Sequence, residues 1–478
     1  MPPTLTAQLT RRKPLRLQAG PHGGPDLSRS LSTFQLMMFG VGATVGTGIF
    51  FVLQEAVPDA GPAVIVSFLI AGLGAGLSAL CYAEIASAIP VSGSTYSYAY
   101  HAFGELVAMG IAACVLLEYG VSSGAVAVGW SGYLNELLEN VLGWHLPDAL
   151  SYSPIPYEDN VTGIVNLPAV LLVMMCTILL VRGASESARV NTVMVIIKLS
   201  VLLMFVAIAL TAWDSDNFAG FWDAGPHGIS AAAATIFFSF IGLDAVSTAG
   251  EEVRDPQRAL PRAIMGALAV VVTVYVLVAV AGIAAQPPEK FSDPDQQSAG
   301  LSVILEDITG STVAPTILAA GAVISIFSVT LVTLYGQTRI LFAMGRDGML
   351  PDRFSSVNPR TLTPTFNTIV CGTVVALIGG FVPADYLWDT VSIGTLVAFI
   401  VVAAGVLALR RTQPDLPRPF RVPLHPVVPV LTIAVCLYIL SGIALVTWVI
   451  FGCWLALVLG FYMLWGRRHA VLGKEAAR

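Results

Sequence analysis

Apolar residues run along this chain in long blocks broken by short polar stretches, and each block is about as long as the 20 residues a helix needs to cross a bilayer. A backbone inside lipid must satisfy its own hydrogen bonds, so blocks of this length are expected to be helices. Twelve are predicted, near residues 34–55, 63–88, 103–134, 163–182, 190–212, 229–251, 262–284, 313–344, 366–383, 387–409, 427–442 and 446–466. The last two come from one apolar run of 40 residues, twice a single crossing, in which Ser441-Gly442 is the turn-like dipeptide near the centre.

Composition agrees with this pattern. Of 478 residues only 11% are charged and 56% are hydrophobic, Gly occupies 44 positions, and the mean hydropathy is +0.79. Soluble proteins carry roughly 25% charged residues, so a soluble enzyme is excluded. A formal charge of −6 gives no support to nucleic-acid binding. The six cysteines (Cys81, Cys114, Cys176, Cys371, Cys436, Cys453) sit in apolar runs without CxxC spacing and read as small core hydrophobes. No cofactor or metal motif is present.

Cytoplasmic loops accumulate Lys and Arg. With the N-terminus inside, 22 of the 24 fall in cytoplasmic tails and loops; Lys290 lies in an outer loop and Lys198 inside a span. Both termini are therefore expected in the cytoplasm. Residues 1–30, with Arg11, Arg12, Lys13, Arg16 and Arg29, read as an uncleaved cytoplasmic tail, and 467–478 as a second.

Transporters commonly contain inverted halves whose first helices are interrupted at the substrate site. The first segment carries Gly40, Gly42, Gly46 and Gly48 in GVGATVGTGIF, and the sixth carries Phe238-Ser239-Phe240-Ile241-Gly242. Five segments lie from one to the other, as a five-plus-five inverted repeat requires, with halves at 31–212 and 228–410 and an added pair at 427–466. Backbone groups freed at such breaks serve a ligand that needs both donors and acceptors. An amino-acid zwitterion is such a ligand.

Several motifs have plainer readings. The run at 40–48 is GxGxxxGxG without strand–turn–helix context, so it is not a dinucleotide loop. Gly72 and Gly76 fit a helix-packing face. Gly120-Val-Ser-Ser-Gly124 matches a hydrolase elbow by letter only, with no His in an apolar core to act as base. Ionisable residues inside spans are costly and carry a functional prior. Lys198 has no acidic neighbour within a turn, so it either finds acceptors on another helix or loses its proton through desolvation, in a functional or a structural pairing role. Glu118 shares a face with Ser122, Ala125 and Gly129, which lines a cavity or serves close packing. Asp244 follows the second break, as a local cap or a gate. Glu84, Glu251 and Glu252 are expected at the cytoplasmic interface, solvated or paired with loops, and the sequon at Asn160 is given no weight.

The stretches FQLMMFGVGATVGTGIF, CYAEIASAIPVSGSTYSYAY, FFSFIGLDAVSTAGEEVRDPQRALPRAI and LYGQTRILFAMGRDGMLP together resemble the amino acid–polyamine–organocation (APC) superfamily. The EEVRDPQRALPRAI portion is most similar to the bacterial branch of its cationic amino acid transporter family. The resemblance spans about 30–470 and implies an all-α polytopic membrane protein, a five-plus-five inverted repeat with two appended helices. It implies a substrate site formed by Thr44, Val45, Gly46, Thr47, Gly48, Glu118, Phe238, Ser239, Ile241 and Thr333. The carboxylate would rest on the Thr47 and Gly48 amides against the half-helix dipole, and the ammonium on the carbonyls of Thr44, Phe238 and Ile241. Phe238 resembles an aromatic gate, with Asp244 a second gating residue. Glu118 resembles a carboxylate near the side-chain end of the pocket. Thr333 is a departure, since bacterial relatives often have a bulkier Met there. Lys198 matches a fifth-helix lysine that stands, in proton-coupled members, where sodium-coupled relatives bind an ion.

The sequence is thus expected to encode a proton-coupled amino acid permease of the plasma (inner) membrane, working with an L-amino acid, protons and the lipid bilayer. The alternative is a cationic amino acid or polyamine carrier working as an exchanger. An intramembrane enzyme lacks a nucleophile and base at one depth, a channel would show a continuous polar stripe, and ATP coupling lacks its GxxxxGK[ST] motif. A small accompanying membrane subunit is left open.

Overall fold

The computed structural model describes residues 8–14, 27–46, 48–155, 162–292, 300–383, 385–441, 443 and 445–475. Among these residues the regular structure is helical, apart from a single bridge between Leu31 and Val253. Among the described residues, eight helical stretches are long and apolar enough to cross a bilayer, and Leu167–Arg182, Thr365–Phe381 and Val427–Leu440 are shorter apolar helices.

The first expected segment is two helices. α1 (Thr33–Thr44) starts at a capping box in which Ser32 and Gln35 satisfy each other's backbone amides. It stops at Val45, whose backbone leaves the helical region, and α2 (Gly48–Ala60) resumes at Gly48. Then come α3 (Val64–Ala88), the short linker helix α4 (Ser94–Ala102) and a long α5 that runs Glu105–Val115, through a π turn at Leu116–Val121, and on as Ser122–Leu142. α6 (Leu167–Arg182) and α7 (Ala184–Ala209) follow.

α8 (Gly225–Phe237) is interrupted like α1. It tightens into a 3-10 turn at Phe238–Phe240, extends at Ile241, reverses at Gly242 and resumes as a short turn at Ala245–Thr248. Gly242 has φ +109°, and a Cβ there would lie 2.9 Å from the Ala43 carbonyl oxygen. Only glycine meets both demands. The remaining helices are α9 (Pro256–Ala285), α10 (Leu301–Thr309), α11 (Val313–Arg346), α12 (Thr365–Phe381), α13 (Asp385–Thr412), α14 (Val427–Leu440) and α15 (Leu445–Phe461). The 40-residue apolar run divides between Leu440 and Leu445; Gly442 lies outside the described residues, as does Asn160.

α1 is enclosed by α7, α9 and α11, and α3 lies along α9. Gly72 and Gly76 form that last contact: a Cβ on either would meet Val272 at 2.9 Å or Leu268 at 3.3 Å. Five cysteines are buried, but Cys453 on α15 is exposed and not the core residue expected. Its helix buries little of its own surface against the protein.

One end of the helical body is closed by its termini. Residues 8–14 lie across α4: the Lys13 amide donates to the Tyr100 carbonyl (3.3 Å), and the Val471 amide donates to the Asp347 carbonyl (3.0 Å). This is called the strap end below. Glu84 and Glu252 are not solvated there. Glu84 is 2% exposed and accepts from Arg410 and the Val422 amide; Glu252 is fully buried against Arg339. Both are paired, as a carboxylate removed from water must be, but with arginines of the helices α13 and α11; the loop pairing expected is met at Glu84, by the Val422 amide.

Candidate functional site

The two interruptions face one cavity of about 1080 Å³. Its walls include Thr44, Gly46, Gly48, Glu118, Phe238, Ser239, Ile241, Asp244 and Thr333, so nine of the predicted site residues converge there. Val45 is buried outside the lining, and Thr47 lies outside the described residues. The cavity continues along α2 past Val52 to Glu55, which is exposed, and along α14 to Tyr438 and Ser441. It therefore leads away from the strap end.

The breaks leave backbone groups facing this space. Gly46 sends its amide back to the Thr44 carbonyl at 2.9 Å, and the Ile241 amide returns to the Phe238 carbonyl at 3.2 Å. α2 begins at Gly48, so the amides of its first turn and its positive dipole end point at the cavity. A Cβ on Gly48 would approach the Ser239 hydroxyl oxygen to 2.7 Å, which shows how closely the two breaks pack.

Among the described residues three carboxylates line the cavity, Glu55, Glu118 and Asp244, and no Lys or Arg does. Glu118 is buried with neither oxygen hydrogen-bonded; the hydroxyl of nearby Thr395 is taken by the Val391 carbonyl. Asp244 accepts from the Tyr119 hydroxyl. The π turn alters which face of α5 meets the cavity. Glu118, Tyr119, Ser122 and Val126 line it, whereas Ala125 and Gly129 of the predicted stripe do not, because the extra residue in the turn rotates the register. Thr333 is bonded to Ser123 at 2.6 Å, a small hydroxyl pair between α5 and α11.

Lys198 is fully buried behind the first break. Its Nζ donates to the carbonyls of Gly42 (2.9 Å) and Val45 (2.6 Å), with the Ser328 hydroxyl at 3.4 Å. Of the two alternatives open to it from sequence, the structure shows acceptors supplied by other helices. Two further polar groups escaped sequence reading. The Ser325 hydroxyl donates to the Val45 carbonyl at 2.8 Å. The Tyr275 hydroxyl lies 3.0 Å from both the Thr44 and the Ser239 carbonyls and so spans the two breaks. Its only sequence signal is a lone phenol in the apolar run VVVTVYVLVAV.

Comparison with known proteins decides the family. Residues 31–464 match the family described as Amino acid permease. The chain belongs to that family. The permease is 42% identical over 465 residues to the branched-chain amino acid permease BcaP of Bacillus subtilis (strain 168), covering 97% of this chain and 99% of that one. It is 40% identical over 470 residues to the methylthioribose transporter of the same organism, covering 98% and 100%. It is also 38% identical to cationic amino acid transporter 2, vacuolar, of Arabidopsis thaliana, over 85% of this chain and 64% of that one. The permease is thus a multi-pass membrane transporter of the APC superfamily and not an enzyme.

Proposed function

We propose that this permease is a twelve-helix secondary transporter with a five-plus-five inverted repeat, which takes up L-amino acids with protons across the plasma membrane. Its strap end and both termini face the cytoplasm. The observation that carries this reading is the pair of helix interruptions, at Val45–Gly46 and Phe238–Gly242, meeting in one cavity. Amides at the start of α2 suit a carboxylate, and carbonyls at the ends of α1 and α8 suit an ammonium. The side chain then extends toward Glu118 and the Ser123–Thr333 pair, where Thr333 leaves more room than a Met. Phe238, 37% exposed on the cavity wall, serves as the gate over the substrate, with Asp244 behind it.

Coupling is assigned to Lys198. Charged, it holds the carbonyls of Gly42 and Val45 and so holds α1; uncharged, it holds them less well, and protonation then biases the two access states. A fully buried ammonium is costly without those acceptors, which ties its charge to the position of α1. The alternative reading, a cationic amino acid or polyamine exchanger, draws on the three cavity carboxylates and the Arabidopsis relatives.

Uptake into proteoliposomes tests this. Alanine, leucine, arginine, putrescine and methylthioribose are offered under an imposed pH or sodium gradient, with Lys198→Ala in parallel. The expected result is accumulation of neutral amino acids driven by the pH gradient, indifferent to sodium and lost in Lys198→Ala. Exchange of arginine or putrescine without net accumulation establishes the alternative. Uptake of methylthioribose alone, a sugar with neither ammonium nor carboxylate, overturns the amino-acid reading.

A further inference from the structure

We propose that Asn191 is a positioning residue that clasps the half-helix α1 onto α7, as a second tie that does not depend on the charge of Lys198. The inference rests on the reading above that α1 is held in one access state and released in the other, and takes the released state to be the one in which the strap end opens.

Lys198 and Asn191 make different kinds of contact. Because the Gly46 amide turns back to Thr44, the Gly42 carbonyl loses the donor that a continuous helix would supply four residues ahead. Lys198 fills that gap and also takes the Val45 carbonyl. Its bonds therefore satisfy backbone that the break set free. Asn191 Nδ2 instead donates, at 3.0 Å, to the carbonyl of Met38, which lies inside α1. That bond repairs nothing in α1. Its effect is to hold one helix to another.

The spacing supports a built device. Met38 lies four residues before Gly42 and seven before Val45, and Asn191 lies seven before Lys198, so the two rungs follow one another in the same order along both helices. Both ends of the amide are used, since Ser328 Oγ donates to Asn191 Oδ1 at 2.8 Å while standing 3.4 Å from Lys198 Nζ. Gly42 makes room: a Cβ there would lie 2.7 Å from Asn191 Oδ1 and 3.0 Å from Nδ2. An amide fully buried at this depth is costly unless satisfied. Part of its satisfaction comes from α1 itself. When α1 moves, Asn191 loses a partner, so the clasp opposes opening of the strap end whatever the state of Lys198.

Spin labels on exposed Phe34 and Arg353, in a Cys453→Ser background, report the position of α1 in lipid nanodiscs without substrate or gradient. Asn191→Leu, of similar size, is expected to raise the population with α1 displaced about fivefold, the effect of losing one neutral hydrogen bond. Ser328→Ala should give a smaller rise, and Asn191→Leu with Lys198→Ala a larger one than either alone. In proteoliposomes Asn191→Leu retains pH-driven accumulation, which Lys198→Ala loses. If Asn191→Leu fails to assemble, Asn191→Ser, too short to reach Met38, replaces it. A distance distribution that matches the wild type in the Asn191 variant, while Lys198→Ala shifts it, overturns the proposal. The distance measurement needs no transported substrate, so failure of the amino-acid reading leaves this result legible.

Discussion

The two ends of the helical body hold their charges in different ways. At the strap end Arg339 and Glu252 are paired at 2.7 Å with both side chains fully buried, and the guanidinium lies 3.8 Å over the Tyr335 ring. Beside them Lys13 meets Asp347 at 2.5 Å, with side chains 12% and 5% exposed. At the far end of α9, Lys290 and Asp307 form an ion pair at 3.3 Å with 52% and 53% of their side chains exposed. A buried pair adds little net stability when complete and costs a great deal when half-made. Such pairs suit a surface that is either fully joined or fully parted. The far end, where the cavity leads, has no comparable seal among the described residues, which places this conformation as open away from the strap.

The comparison is broken most forcefully at Arg339. Glu252→Gln leaves a buried guanidinium without its countercharge and is expected to cost about 3–5 kcal/mol. Thermal unfolding of the purified protein measures the loss. Replacing both residues by Met should recover most of it, because the cost lies in the unpaired charge and not in the missing bridge.

Asp347 comes next. Its carboxylate accepts from Lys13 Nζ and, at 3.0 Å, from the Tyr96 hydroxyl. Asp347→Asn keeps the shape and removes the charge, at a cost of about 2 kcal/mol in strap docking. Limited proteolysis near Arg11 and Lys13 should then accelerate, whereas the unfolding midpoint of the helical body should move less than in Glu252→Gln.

How much of this was legible in the sequence depends on what each feature needs. Helical segments need only length and apolarity, and the breaks near Gly46 and Gly242 announce themselves by glycine. The positions of charge relative to burial were less legible. Glu84 and Glu252 stand near span ends like any solvated residue, and only the return of Arg410 and Arg339 from distant helices buries them. The π turn in α5 has no sequence mark, so ordinary helical spacing predicts a stripe from Glu118 through Ala125 and Gly129, and the turn rotates the last two away from the cavity. Asn191, Ser328 and Tyr275 are single polar residues in apolar runs. Nothing in the one-dimensional pattern says which carbonyl each will meet.

His101 gives a milder, pH-dependent break at the strap end. It sits on the linker helix α4, between spans, where its Nδ1–H donates to the Lys13 carbonyl at 2.6 Å. That bond fixes the neutral tautomer. Burial, aided by the nearby Lys13 charge, brings its pKa down from 6.5 to about 4. A lowered pKa means that the folded state resists protonation. The contribution is therefore fully present above pH 6.5 and is lost progressively as pH falls from 6.5 toward 4. At pH 6 the loss is about 1 kcal/mol. Strap protection against proteolysis should weaken over that interval in the wild type, and His101→Gln should flatten the dependence.

The smallest effect is expected at the far end, and it sharpens the comparison because the chemistry is the same. Lys290 and Asp307 are oppositely charged and within salt-bridge distance, like Lys13 and Asp347, but water still reaches half of each side chain. Solvent screens their attraction, and holding two side chains in one geometry costs entropy. A double-mutant cycle with Lys290→Ala and Asp307→Ala should give a coupling below about 0.5 kcal/mol. It should vanish in roughly 1 M salt, where the screening length is about 3 Å. The same cycle at Lys13 and Asp347 should retain most of its coupling in that salt, since both groups are shielded from ions. A coupling at Lys290 as large as at Lys13, or as resistant to salt, would mean that both ends are sealed by charge and that the contrast in burial does not set which end of the permease is free to open.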